Sequence, residues 1–249
     1  MRRRHGDLGP RGAGPPHRAM RRSRGRPDDV ADPGDATPNG SSRVPAICLG
    51  VFTLAWILLA IAPRHRADWL LENLPVFLAV PALVAGHRRF RFSDRAYVQG
   101  TIFLLLHAIG SHFTYSDVPV HDWLGPAAGF GRNHYDRVVH FLYGVLLLRP
   151  VRELSFRGRE PGRFATLALS DATVVAGGAV YEIVEWAVAA IADPEAGTAF
   201  LGTQGDEWDA QKDMALAGIG AVIAATIELV VDPPPSGTVR VEQSRRPAA

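Results

Sequence analysis

The apolar residues of this chain fall into six long stretches separated by short polar segments. The stretches cover residues 44–62, 68–86, 97–113, 135–150, 164–191 and 211–231. The first contains no charged residue and has the length of about 20 residues that a helix needs to cross a bilayer. A soluble bundle with very apolar core helices is the alternative, and a charge-free run of this length argues against it. The pattern therefore predicts an all-α fold, a polytopic transmembrane helix bundle of about six spans.

Prolines and glycines add detail to these stretches. Pro75 and Pro81 predict a kinked second span, which a membrane helix tolerates when neighbouring groups satisfy the freed backbone. Gly177 and Gly178 in the fifth stretch, and Gly218 and Gly220 in the sixth, predict positions where other helices approach closely.

The two ends of the chain differ from the region between them. Residues 1–43 are rich in Arg, Gly, Pro and Asp and contain few large apolar side chains, which predicts a disordered cytoplasmic tail. Translation from Met20 is the alternative explanation for the upstream part of this tail. The run Pro233–Pro235 is expected to end the last helix, and residues 232–249 are predicted to form a second disordered cytoplasmic tail. The domain organisation is thus a transmembrane domain at 44–231 between two tails.

Composition alone would have missed the membrane. The chain is 47% hydrophobic with a mean hydropathy of +0.03, because its polar N-terminal segment dilutes the apolar stretches. Its one cysteine, Cys48, excludes an internal disulfide framework. The pI of about 9.0 does not indicate a nucleic-acid partner, because the arginines are divided among several short segments with no basic stripe.

The distribution of positive charge predicts an orientation. Of the 27 Lys and Arg residues, 22 lie in the two tails and in the segments 87–96 and 149–163. The other five lie in or beside the segments 63–67, 114–134 and 192–210. Positively charged loops stay on the cytoplasmic side of a membrane. Both termini are therefore expected in the cytoplasm, with the poorly charged loops facing outward.

With this orientation, carboxylates and histidines from several spans lie at a similar depth near the outer surface. The pairs Asp136/His140 and Asp209/Asp213 are spaced i,i+4, and Glu182/Glu185 is spaced i,i+3, so each pair shares one helix face. Glu72, His107, His112 and Asp206 add to the same layer. Because charge inside a bilayer is costly, such groups face water or one another. We expect one polar chamber, walled by the second to sixth spans.

Carboxylate and imidazole groups suggest two kinds of chemistry. They are ligands for divalent metals, and they can act as a general acid and base. The candidate metal ligands are Asp136, His140, Glu182, Glu185, Asp209, Asp213 and His112, and all of these except His112 are also candidate catalytic residues. A structural role is the alternative for each residue. His140 could simply bond Asp136, and Glu185 could form an ion pair with Arg137.

Three functions remain open from the residues alone. The leading hypothesis is a metal-dependent site acting on a lipid or lipid-linked envelope substrate, with the divalent ion as its cofactor. A small transporter or proton-coupled permease is the second, and a membrane scaffold without chemistry is the third. No HExxH, GxSxG or phosphate-loop motif is present to identify an enzyme class.

Three segments in order resemble a known family. They are residues 129–141 (GFGRNHYDRVVHF), 181–186 (YEIVEW) and 202–214 (GTQGDEWDAQKDM). The chain resembles the YjdF-like family of bacterial inner-membrane proteins over about residues 45–230. That family is a domain of unknown function, so the resemblance implies an inner-membrane location and membrane topology but no activity. The Asp136/His140 and Asp209/Asp213 pairs also show a distant likeness to VanZ-like membrane proteins, which hints at cell-envelope work.

Overall fold

The computed structural model describes residues 43–119, 131–157, 162–191, 197 and 201–231. Within these residues the fold is all-helical, as predicted. The helices are α1 (Val44–Leu59), α2 (Arg66–Glu72), α3 (Leu74–Gly86), α4 (Asp94–His112), α5 (Tyr135–Phe156), α6 (Arg163–Ile191) and α7 (Asp209–Val231). The predicted tails at 1–43 and 232–249 lie outside the described residues, apart from Arg43.

The second predicted span is a pair of helices. Helices α2 and α3 meet at Asn73 and are bent by 42°. The break falls just before Pro75, which has a place in the first turn of α3 where its missing N–H costs nothing. Pro81 lies inside α3 without ending it. The predicted kink is therefore confirmed at the first proline, and the helix continues through the second.

Length and apolar composition identify α6 and α7 as helices able to cross a membrane, and the bent pair α2–α3 as a third if it is one span. Helix α1 is apolar but has only 16 residues. Large apolar side chains are exposed on all of these helices; Leu78, for example, is 75% exposed. An apolar surface of this extent is the kind that lipid covers.

Helix α5 is the centre of the bundle, with α4, α6 and α7 all packed against it, while α1 packs on α4. A small core of Leu148, Leu167, Val174, Ala221 and Ala224 lies where α5, α6 and α7 meet. The predicted close approaches are confirmed. A Cβ added to Gly178 would lie 3.8 Å from the Cβ of Ala217, and one added to Gly220 would collide with the carbonyl oxygen of Phe141.

Candidate polar site at one end of the bundle

Three aspartates meet where α5 and α7 begin. Asp136 lies in the first turn of α5, and Asp209 and Asp213 lie in the first two turns of α7. One carboxylate oxygen from each lies within 4.8 Å of the others. Asp209 and Asp213 are 4% and 1% exposed. Asp136 is half-buried. The positive ends of two helix dipoles therefore face three carboxyl groups, which favours their negative charge.

Two arginines neutralise one side of this group. Arg132 holds Asp209 in a two-pronged contact, with Nη1–Oδ1 and Nη2–Oδ2 distances of 2.8 and 3.2 Å. Arg137 Nη2 donates to Asp209 Oδ1 at 3.1 Å and also to Asp206. Arg137 thus pairs with these aspartates; among the described residues no ion pair joins it to Glu185, the structural alternative that the sequence suggested.

Asp206 lies just before α7 and shares the cations of this group. Lys212 Nζ donates to its Oδ2 at 2.5 Å, and Arg132 Nη1 lies 3.5 Å from the same oxygen. These cations, chiefly through the hydrogen bond from Lys212, lower the pKa of Asp206 to about 2. Asp206 therefore stays ionised and pairs with Arg132, Arg137 and Lys212.

Asp213 has no such partner. Its Oδ1 is buried and, within the described part of the chain, accepts no hydrogen bond. A buried acceptor without a partner costs about 1–3 kcal/mol. Since Asp209 is already held by both arginines, Asp136 and Asp213 are the carboxylates of the group that remain available for a further cation.

His140 connects the aspartates to α6. Its Nε2 lies 3.5 Å from Asp136 Oδ1 and 3.4 Å from Glu182 Oε1, and the ring is buried. The i,i+4 spacing on α5 therefore does place Asp136 and His140 together. Glu182 reaches the same imidazole from the facing helix.

Glu185 and His112 lie elsewhere. Glu185 is half-buried one turn beyond Glu182, beside Glu72 and Tyr181. His112 Nδ1 contacts the carbonyl oxygen of Leu59 at 2.7 Å, at the end of α1. The structure therefore groups Asp136, His140, Glu182, Asp209 and Asp213, sets Glu185 next to a second network, and gives His112 a contact with the first helix.

The second network joins Glu72 and His107, which the sequence had placed in the polar layer, to two tyrosines that it had not. Tyr181 donates to Glu72 Oε2 at 2.6 Å. His107 bridges the Tyr115 hydroxyl, 2.6 Å from its Nδ1, and the Glu72 carbonyl oxygen, 3.0 Å from its Nε2. Burial raises the pKa of Tyr115 well above its usual value, and so do the nearby carboxylates. The Tyr115 hydroxyl therefore remains protonated and donates to His107.

A cavity of about 200 Å³ lies between the two networks. Asp136, His140 and Tyr181 supply part of its wall. Apolar groups from α3, α4, α5 and α6 line much of the remainder, among them Val76, Phe103, Val139 and Gly177. The cavity thus combines polar groups that can do chemistry with a mainly apolar wall.

Sequence reasoning also missed how two loops hold the site. The Asn133 backbone N–H donates to Gln204 Oε1 at 2.9 Å, and Gln204 Nε2 donates back to the Asn133 carbonyl oxygen at 3.0 Å. Gln204 has φ 50° and Gly205 φ 85°, so the second loop turns sharply here. One signal was available in the sequence: Arg132 and Arg137 are two of the few cations on the poorly charged side, and both lie beside Asp136.

These features define a class: an integral membrane protein made of apolar helices with a buried acidic group at one end. More specifically, the chain belongs to the family described as "Predicted membrane protein (DUF2238)", which matches residues 44–232. It is 35% identical over 175 residues to the inner membrane protein YjdF of Escherichia coli (strain K12), covering 68% of this chain and 81% of YjdF. No solved structure matches the chain. The resemblance seen in the sequence is confirmed, and the protein is an inner-membrane protein.

Proposed function

We propose that the protein binds a divalent cation at Asp136, Asp209 and Asp213 and uses this site to act on a lipid or lipid-linked envelope substrate. One observation carries the proposal: a half-buried carboxylate and two buried ones converge while Asp213 Oδ1 has no partner among the described residues. A set of carboxylate oxygens suits Mg²⁺ or Mn²⁺, which also retain several waters.

The local excess of negative charge favours binding of a cation. Near the aspartates, the carboxylates are those of Asp136, Glu182, Glu185, Asp206, Asp209 and Asp213, and the cations are Arg132, Arg137 and Lys212. Like charges at this distance in a medium of low dielectric constant repel strongly. A divalent ion would remove most of the imbalance, and partial protonation is the alternative that the experiment below distinguishes.

The remaining groups have roles in this scheme. His140 and Glu182 lie beside the proposed metal ligand Asp136 and are placed to take or give a proton as a general base and acid. The apolar cavity wall suits the hydrocarbon part of a lipid-linked substrate, whose polar group would then meet Asp136 and His140. Glu185 and Glu72 would hold Tyr181 in its place in the cavity wall.

We also propose six membrane crossings with both termini in the cytoplasm. Helices α5 and α7 both begin at the carboxylate end, so α6 must return across the bundle between them. Single cysteines at Glu207 and Arg89, in a Cys48→Ala background, test the orientation. We expect an impermeant maleimide added to intact cells to label position 207 and not position 89; the reverse pattern would contradict the topology and the outward-facing site.

Metal binding is tested with protein purified in detergent, stripped with EDTA and titrated with Mg²⁺, Mn²⁺ or Zn²⁺. We expect one ion per chain by elemental analysis and a rise in Tm. Loss of one charged ligand costs about 1.5–3 kcal/mol, so Asp213→Asn is expected to weaken binding by about 10–100-fold. Without metal, the same variant is expected to be at least as stable as the parent, since a repulsive charge is removed.

Asp171→Asn is the matched control, because Asp171 is a carboxylate of α6 about 16 Å along the helix from Glu182. A parent protein that holds no ion, or equal losses in both variants, would refute the metal site. The substrate class is tested by comparing envelope lipids from a deletion strain complemented with the parent, Asp213→Asn or His140→Gln. If the parent and both variants all restore the lipid composition, the protein is a scaffold without chemistry at this site. If the protein carries a solute across the membrane without metal, and Glu182→Gln abolishes this flux, the protein is a transporter.

A further inference from the structure

A second pocket lies at the opposite, arginine-rich end of the bundle. Its volume is about 430 Å³, and it lies between the start of α4 and the ends of α5 and α7. Its polar wall consists of Arg95, Gln99, Arg149 and Glu228. Val145, Ile227 and Val231 form part of its apolar wall. It shares no residue with the aspartate site.

Positive charge exceeds negative charge around this pocket. Arg149 Nη2 and Arg152 Nη1 hold the Glu228 carboxylate at 2.9 and 2.5 Å, and Arg163 donates to the Glu228 carbonyl oxygen. One carboxylate therefore pairs with two guanidinium groups, and a third guanidinium group binds the backbone of the same residue. Arg95 adds a fourth, and no described carboxylate lies within ion-pair distance of it. The pocket is thus suited to an anion.

Glu153, near the end of α5, already has hydrogen-bond donors. Glu153 accepts hydrogen bonds from the Ser93 backbone N–H at 2.7 Å and from the Ser93 hydroxyl at 2.5 Å. Ser93 also caps α4 by accepting from the Ala96 N–H at 3.2 Å. These bonds fix the first turn of α4 to the end of α5, so Arg95 and Gln99 are presented to the pocket from a well-anchored helix.

The side chain of Gln99 indicates that the ligand also carries a hydrogen-bond donor. Its Oε1 is buried and accepts no hydrogen bond from the described residues. A buried amide oxygen needs a donor, and the ionised phosphate group of a phosphodiester has acceptors only. The pocket therefore calls for a ligand that carries both a phosphate, for the guanidinium groups, and a hydroxyl, for the amide.

We propose that this pocket binds a phosphate ester whose alcohol part bears free hydroxyl groups. Two sources share that chemistry: the headgroup of an anionic phospholipid of the phosphatidylglycerol type, and soluble glycerol phosphate. The apolar wall and the expected cytoplasmic position, where basic pockets between helices meet anionic headgroups, favour the lipid. The inference is independent of the metal site.

The test uses delipidated full-length protein in detergent and native mass spectrometry to measure lipid affinity. Phosphatidylglycerol is compared with phosphatidylcholine of identical chains, and glycerol phosphate and inorganic phosphate are tested separately by thermal shift. The variants are Arg95→Gln and Gln99→Leu. Arg89→Gln is the control, because it removes the same charge from an exposed position on the same end that does not line the pocket.

We expect phosphatidylglycerol to bind more tightly than phosphatidylcholine, and each pocket variant to weaken it by about tenfold. Arg89→Gln is expected to change the affinity for phosphatidylglycerol by less than about twofold, because an exposed charge contributes little to binding. Protection by glycerol phosphate that disappears in the same two variants would support the site with a soluble ligand. Equal binding of both lipids together with no effect of soluble phosphates, or equal effects of all three variants, would overturn the proposal. The Tm of each variant shows whether it is still folded. Gln99→Leu keeps every charge, so a weaker affinity in this variant reports binding in the pocket and not nonspecific electrostatic attraction.

Discussion

Gly144 lies where α5 and α7 cross, and replacing it with alanine tests how closely the two backbones approach. A Cβ on Gly144 would lie 2.7 Å from the backbone nitrogen of Ala221 and would collide with the carbonyl oxygen of Ala217. On the facing helix, a Cβ on Gly220 would lie 3.1 Å from the nitrogen of Val145. Since backbone atoms fill the space, rotation of a side chain cannot relieve the clash.

The size of the effect follows from these distances. Carbon contacts are most favourable at about 3.5–4.0 Å, so α5 and α7 must separate by about 1 Å at the crossing. Overpacking costs about 1–3 kcal/mol, and rigid backbone on both sides points to the upper end. Alanine in place of glycine returns about 1 kcal/mol of helix propensity. The net loss is then about 2 kcal/mol, which corresponds to a Tm lower by about 4–8 °C.

Thermal unfolding in detergent, followed by tryptophan fluorescence, measures this change. Gly100→Ala is the matched control, because Gly100 is also helical and no atom lies within 4 Å of its added Cβ. We expect the control to unfold at or above the temperature of the parent. If Gly144→Ala unfolds with the control, the backbones do not approach as closely as the structure indicates.

The same variant tests whether the crossing positions the aspartates. Asp136 lies two turns before Gly144 on α5, and Asp213 lies one turn before Ala217 on α7. Separating the helices moves these carboxylates apart. We therefore expect Gly144→Ala to weaken Mn²⁺ binding while Gly100→Ala leaves it unchanged. A destabilised protein that keeps full metal affinity would show that the loops alone hold the site.

Two further predictions concern the loop and the first helices. Asp206→Asn is expected to lower the Tm at pH 7. The difference from the parent is expected to shrink below pH 4 and to vanish only below the folded-state pKa of about 2, because a carboxylate with a lowered pKa stabilises the fold only while ionised. A difference independent of pH would contradict this. Asn73 is fully buried, and its Oδ1 accepts from Trp56 Nε1 at 2.6 Å. Asn73→Leu leaves that indole donor unpaired, so we expect a loss of about 1–3 kcal/mol and altered tryptophan emission, and an unchanged Tm would count against the bond.

Local sequence patterns predicted most of the helices. Apolar runs located every described helix, and Pro75 marked the break before α3. The end of the fourth stretch was wrong: it was placed at Pro150, whereas α5 continues to Phe156. Arg149 and Arg152 indicated a cytoplasmic loop by composition, but they remain helical and hold Glu228 on α7. A partner so distant in the sequence cannot be inferred from the local pattern.

Spacing along one helix predicted part of the candidate site. The i,i+4 pairs place Asp136 beside His140, and Asp209 and Asp213 on one face, as the structure has them. Depth in the membrane also grouped His112 with these residues, although its contact is with Leu59. The depth of a residue in the membrane does not determine which neighbouring helix its side chain faces. That requires knowing which helices are neighbours.

The packing of α5 against α7 determines where the two polar sites lie. The two helices run in the same direction, as the contacts Asp136–Asp209 near their starts and Arg149–Glu228 near their ends require. Their positive dipole ends therefore meet the aspartates, and their negative ends meet the arginines. Because α5 and α7 run in the same direction, α6, which lies between them in the sequence, must run back along the bundle. The charge asymmetry along the chain and the two opposite polar sites are thus consequences of one arrangement, and breaking the α5–α7 crossing is expected to disturb both ends together.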